Sequence, residues 1–392
     1  MKPEIKAELL RELQLEVATP PADIGIRCEH DRFRPLYRGR PIISFANWDP
    51  LNIAQHKELA SLVHTEGAVG LASNAARSMG GMSTALERGE SRIARFYTAE
   101  AATAFNTKAQ AVLTVVTALC GEGVVVLSTP LSTLPLADAC ALVGAEFLEC
   151  GNLENLRNTL EKNSLAKRLI VFIESSSPLT GEPVDISGWL GAASQHGGWA
   201  VVDESALFGT SGMRGAGSAE PLPSSPALLA RMVSFQNVIG SDVCMVAGST
   251  ELRELLLKRS RYLRYEAPPA PFAGRFVEAV TDLVELSLSA REMLNAKAAI
   301  VHSAVKAQGW KLASESPTLI CSLWFESLQK AREVQEAMLQ RGILVEALPA
   351  RGLRRNGAVV RALLSNAHTQ EDIDCLLTGF SEVRKRLAPS PL

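Results

Sequence analysis

The 392-residue chain carries 40 lysines and arginines against 42 aspartates and glutamates, a net charge of −2 at pH 7. Acids and bases are mixed along it, which argues against nucleic acid or an anionic membrane as an obligate partner. No apolar run approaches the roughly 20 residues that span a bilayer.

The N-terminal stretch MKPEIKAELLRELQLE is charged and lacks the apolar centre of a secretory signal. Seven cysteines are scattered without a C-x-x-C pair, a pattern of reduced and mostly buried thiols. A cytoplasmic location is the expectation. A chain of this length buries a large core and is expected to hold two domains.

In chain order, residues 4–16 read as an amphipathic helix with Ile5, Leu9, Leu10 and Leu13 on one stripe, ended by ATPPAD. RGRPIISFANWD, residues 38–49, reads as a strand running into a loop. A helix follows Thr107 and runs to Cys120. Residues 123–129, GVVVLST, and 168–175, RLIVFIES, read as buried strands, and 187–197 as a helix. Trp199 to Val202 is an apolar run ending on two acids, Asp203 and Glu204. In open α/β sheets ligands sit at the carboxyl ends of strands, so Asp203 is placed where a ligand would be.

Met232 to Phe235 forms the next apolar run. Residues 251–264 read as one basic helix with a solvated or hinge-lining face, and 272–306 as one long helix. Strands are expected at 319–325 and 359–364, with a helix at 327–341 between them. The repeated strand–helix alternation predicts a doubly wound, mostly parallel sheet.

The motifs on these elements carry a resemblance. Val202-Asp203-Glu204-Ser205-Ala206, Gly209, Gly212, Arg214 and Gly215 are similar to V-D-E-A-H-x-x-G…G-x-x-G-R-G. Ser234-Phe235-Gln236-Asn237-Val238-Ile239-Gly240 and Val246-Ala247-Gly248-Ser249 are similar to T-x-S-K-A-x-G…G-x-V-A-G-S. The ending S-N-A-H-T-Q-E-D-I-D, with Arg361 and His368, matches R-L-R-x-x-L-S-A-x-H-T-x-E-D-I-D.

Together these resemble the α-oxoamine synthases, pyridoxal-phosphate (PLP) enzymes that condense an amino acid with an acyl thioester. The likeness runs from about Arg38 to Leu387. It implies an α/β, fold-type-I PLP-dependent transferase of the aspartate-aminotransferase type. The expected division is an N-terminal helix and arm at 1–37, a large domain at 38–264 and a smaller C-terminal α/β domain at 265–392.

The resemblance also locates departures. The family's Schiff-base lysine falls on Asn237, and no lysine occurs between Lys167 and Lys258. The histidine that stacks on the PLP ring falls on Thr133. In the phosphate-binding turn Thr107 keeps a hydroxyl, but Lys108 stands where the family has glycine. Lys108 either reaches a phosphate, obstructs the pocket or extends to solvent. The family's carboxylate-binding arginine is missing from its place, with Arg351 two residues on. In the Gly-rich segment Arg77 and Gly81 match, while the two loop glycines are Ala72 and Asn74.

Asp203 matches the residue that pairs with the pyridinium nitrogen; an aspartate there can equally cap the adjoining turn. The resemblance makes Asp203, Thr107, Lys108, Thr133, Ser234 and Asn237 the cofactor-side residues. It leaves no catalytic residue and no metal ligand.

Three functions are compatible with this. One is a silent subunit or regulator of a homologous acyl-CoA:amino acid C-acyltransferase. Another is an active acyltransferase of the 8-amino-7-oxononanoate synthase type, using non-covalent PLP or a partner's lysine. The third is a small-molecule-binding protein that reuses the pocket. Family pockets form between subunits, which implies a homodimer, or a heterodimer with a lysine-bearing homologue, and an acyl thioester as ligand.

Overall fold

The computed structural model describes residues 26–28, 31–66, 73, 75–130, 134–218, 220, 225–350 and 357–387. The expected helix at 4–16, Thr133 and Arg351 lie outside the described residues.

Four short strands come first: β1 (Ile26–Arg27), β2 (Leu36–Tyr37), β3 (Arg40–Pro41) and β4 (Ile43–Ser44). Helices α1 (Lys57–Glu66) and α2 (Thr84–Phe96) lead into β5 (Ala101–Phe105), α3 (Lys108–Leu119) and β6 (Val124–Ser128). The chain then alternates α4 (Leu134–Val143), β7 (Glu146–Glu149), α5 (Leu153–Lys162), β8 (Arg168–Glu174), α6 (Ile186–Gln195) and β9 (Trp199–Asp203). After β10 (Leu228–Ser234) come the short α7 (Gln236–Ile239) and β11 (Cys244–Gly248).

The order β5-β11-β10-β9-β8-β6-β7 makes one seven-stranded sheet. Only β11 runs against the others, pairing antiparallel with both β10 and β5. The mostly parallel α/β sheet is the one the strand–helix alternation predicts.

Period-two alternation explains why this sheet is covered on both faces. Val124 and Val126 of β6 pack with Val112, Val115 and Leu136 on one side. Val125 and Leu127 pack with Leu156, Leu160 and Leu190 on the other. Each such side chain removed from water contributes about 1.5–3 kcal/mol before entropy is counted. From β6 the chain steps outward to β7 and returns to β8 on the other side. The carboxyl ends of β6 and β8 therefore open a crevice at a topological switch point.

The C-terminal part holds β12 (Ile320–Phe325), α12 (Leu328–Leu339), β13 (Ile343–Leu344), β14 (Glu346–Pro349), β15 (Ala358–Leu363) and α13 (Gln370–Leu387). β12, β15 and β14 form an antiparallel sheet. β4 pairs in parallel with β13, so residues from the start of the chain are stitched to its end.

Two expected helices are broken. The stretch 251–264 forms α8 (Thr250–Arg259) and α9 (Arg261–Tyr265). Ser260 between them has extended backbone, and its Oγ accepts the Leu263 N–H that starts the second helix. The stretch 272–306 forms α10 (Pro271–Leu286) and α11 (Leu288–Ala307), divided at Ser287, whose hydroxyl donates back to the Leu283 carbonyl. Charge and apolar periodicity run through both breaks, so the pattern alone did not show them.

Candidate cofactor-side cavity

The site is built on two strand ends. β8 closes on Glu174 and β9 on Asp203, and the two residues are direct partners in the parallel ladder. Partners in register point to one face. The neighbouring Phe172 and Val201 fix that face as the one covered by α3.

α3 begins at Lys108, with Thr107 as its N-cap; the Thr107 hydroxyl accepts the Gln110 N–H at 3.1 Å. Lys108 turns inward from that first turn. Its Nζ lies 2.5 Å from Asp203 Oδ2 and 3.7 Å from Glu174 Oε1. It neither extends to solvent nor stands free in the opening: its side chain is 19% exposed.

The other oxygen of Asp203 is also engaged. Oδ1 accepts the backbone N–H of Ser205 at 3.0 Å and its hydroxyl at 2.5 Å. The Ser205 oxygen in turn accepts the N–H of Ser234 at 2.9 Å. Asp203 therefore caps the turn after β9 and holds an ammonium at once.

Burial and charge set the protonation of the cluster. Burial pulls the Lys108 pKa down, but attraction to Asp203, then to Glu174, overrides it and leaves the ammonium firmly protonated. Burial pushes Glu174 up to about 8; Lys108 pulls against this and Asp203 adds to it. At neutral pH the Glu174 carboxyl therefore favours its protonated form beside the Lys108 ammonium.

Asp203, Lys108, Ser234 and Asn237 share the wall of a cavity of about 230 Å³, closed on the far side by Trp48 and Arg361. Asn237 sits half-buried on α7, and among the described residues its side-chain amide has no hydrogen-bond partner. Arg361 is committed elsewhere: it pairs with Glu346 at 2.7 Å and donates to the Pro178 carbonyl at 2.6 Å. Among the described residues Lys108 is the only lysine lining this cavity. Thr107 caps its helix and is not among the lining residues.

Glu174 and Trp48 were not singled out from sequence as site residues. The signal for Glu174 was present, because β8 and β9 are consecutive buried runs that each end on an acid. A separate cavity of about 590 Å³ opens beside the crevice, between Thr129, Thr180 and Glu182 of the loops after β6 and β8, Trp189 of α6, and Lys311 and Trp324 of the C-terminal part.

Arg77 and Gly81 hold structure. Arg77 forms a buried ion pair with Glu90 at 2.8 Å and donates to the Ala104 carbonyl. A Cβ on Gly81 would stand 1.8 Å from the Ala75 carbonyl oxygen.

No family model matches the sequence. An 8-amino-7-oxononanoate synthase of Stutzerimonas stutzeri is 29% identical over 388 residues, covering 92% of this chain and 96% of its own. That of Methylobacillus flagellatus is 28% identical over 343 residues, covering 86% of each. Among solved structures, the serine palmitoyltransferase of Sphingomonas wittichii superposes with a TM-score of 0.85 at 19% identity, covering 98% of this chain and 97% of its own. In sequence and in fold the chain is similar to the α-oxoamine synthases.

Its fold is accordingly the fold-type-I PLP-dependent transferase fold. An 8-amino-7-oxononanoate synthase structure from Francisella tularensis superposes with a TM-score of 0.76 at 18% identity, over 89% of this chain and 99% of its own. A further serine palmitoyltransferase structure, TM-score 0.86 at 20% identity over 98% of both chains, holds PLP as an internal aldimine. Among the described residues, no helix is long and apolar enough to cross a membrane.

Proposed function

We propose that this chain is a catalytically silent member of its family, a subunit or regulator of a homologous acyl-CoA:amino acid C-acyltransferase that carries the lysine. The observation that supports this is the pairing of the amines in the cavity. The position that calls for a primary amine holds Asn237, and the only lysine in the wall is bound to Asp203. An amide nitrogen is not basic and neither attacks an aldehyde nor carries a substrate proton. A lysine held as ammonium has no lone pair to attack with.

PLP does not fit the residues present. When bound, that cofactor supplies an electron sink. A ring nitrogen would need the Asp203 oxygen that Lys108 occupies, and the start of α3 presents a lysine stem where a phosphate would need open backbone N–H groups.

The proposed partner is a lysine-bearing homologue in a two-subunit assembly. Exposed Met213, Leu286 and Met293 support an interface there, since Arg291 ties the Met213 carbonyl to the joint between α10 and α11. The proposed location is the cytoplasm, in keeping with seven cysteines that are all unpaired.

A second reading, small-molecule binding, has one observation in its favour: the separate cavity of about 590 Å³. Co-expression with a lysine-bearing synthase separates the two. The silent-subunit reading expects a stable mixed complex, altered activity of the partner and no condensation by this chain alone. Condensation of an amino acid with an acyl thioester by the lone chain would overturn it. A small molecule retained by the lone chain in native mass spectrometry, with no mixed complex, would favour the second reading.

A further inference from the structure

Asn237 accounts for the missing covalent bond, but it does not account for the geometry of Lys108. A cation at the first position of a helix opposes the macrodipole. Thr107 already caps α3, so Lys108 is not there to start the helix. Its stem runs instead across the strand ends, and its ammonium closes on Asp203 while Glu174 stands behind it. With Ser205 on the other oxygen, both carboxylate oxygens of Asp203 are engaged from within the chain.

We infer that Lys108 is the residue that shuts PLP out of the cavity, acting as a built-in counter-ion that holds the carboxylate a protonated ring nitrogen would require. The inference rests on the silent reading above and adds which residue enforces it. Two barriers then stand in series. Asn237 removes the covalent anchor. Lys108 removes the place for the ring. Restoring the anchor alone leaves the second barrier intact.

The test uses the full chain as wild type, Asn237→Lys, Lys108→Ala, Lys108→Gln and the double variant Asn237→Lys with Lys108→Ala. Each is titrated with PLP by equilibrium dialysis and by thermal shift. Borohydride then traps any lysine-bound PLP for peptide mapping. Wild type and Asn237→Lys are expected to bind weakly, with no label at Lys108. Lys108→Ala is expected to bind at least about tenfold more tightly and to be stabilised thermally by PLP. The double variant is expected to trap PLP at position 237.

Lys108→Gln keeps the stem and loses the charge, so it reports on the counter-ion if the alanine variant fails to fold. It is expected to show a smaller gain. Label at Lys108 in the wild type, or tight binding by Asn237→Lys alone, would overturn the inference. So would Lys108 variants that fold and gain nothing; in that case an empty, inactive wild type would leave the silent reading standing. PLP-dependent turnover by the wild type would instead bring down the silent reading itself.

Discussion

Two polar clusters of this molecule, both buried and both at places where the family motifs are strong, have been treated in opposite ways. Around His368 both ring nitrogens are engaged from within the chain. The ring stacks on Phe45 at 4.1 Å, Nε2 bonds the Ser44 carbonyl at 2.9 Å and Nδ1 accepts the Ser365 N–H at 3.0 Å. The Ser365 hydroxyl donates to the Asp49 carbonyl, and Lys297 donates to the carbonyls of Ser365 and His368. That cluster joins β4 to the C-terminal sheet and needs nothing from outside.

Around Asp203 the charged groups are instead closed on one another: Lys108 Nζ lies 2.5 Å from Asp203 and 3.7 Å from Glu174, whose carboxyl burial pushes toward its protonated form. The first cluster ties two parts of the scaffold together through hydrogen bonds; the second places an ammonium on a carboxylate at the ends of two strands.

The contrast can be broken most forcefully at Asp203. Asp203→Ala removes the nearer partner of the Lys108 ammonium and leaves Glu174, at 3.7 Å, to hold it; breaking a buried pair on one side costs about 4 kcal/mol. Urea unfolding should show that loss, and adding Lys108→Met should recover most of it. A single variant as stable as wild type would mean that the pair is solvated.

Glu174→Gln comes next. With the folded pKa raised from 4.5 to about 8, the folded state prefers the protonated acid. Wild-type stability is therefore highest below pH 4.5 and falls, relative to the glutamine variant, as pH rises toward 8. The difference should level off at about 5 kcal/mol above that. Melting temperatures across pH 4–9 check this, and parallel curves for the two proteins would contradict it.

The His368 cluster should respond with the opposite sign. Burial holds the imidazole down from 6.5 to about 4. Its contribution is fully present above pH 6.5 and is lost as pH falls through 4, amounting to about 2–3 kcal/mol. His368→Gln should flatten the acid limb of the stability curve.

The smallest effect is expected at Ser205→Ala, which takes one hydroxyl from Asp203 and one acceptor from the Ser234 N–H, at a cost of about 1 kcal/mol. PLP affinity should not change in that variant, because Lys108 still holds Oδ2.

Much of the scaffold was legible in the residues. The apolar runs ending at Asp203 and Ser175, and the one beginning at Gly123, became β9, β8 and β6 within a residue or two. The breaks at Ser260 and Ser287 were not, because a serine turns a helix through a local hydrogen bond that periodicity does not record. The direction of Lys108 was open among three outcomes. It was decided by the register of β8 and β9, which places two acids side by side under the start of α3. That register is a property of the folded sheet, and no spacing along the chain reveals it.

The most direct measurement of the central claim is a crystal structure of the wild-type chain soaked in excess PLP. The account predicts Lys108 Nζ within hydrogen-bond distance of Asp203 Oδ2 and no cofactor ring above Asn237. A PLP ring nitrogen on Asp203, with Lys108 swung away to solvent, would contradict it.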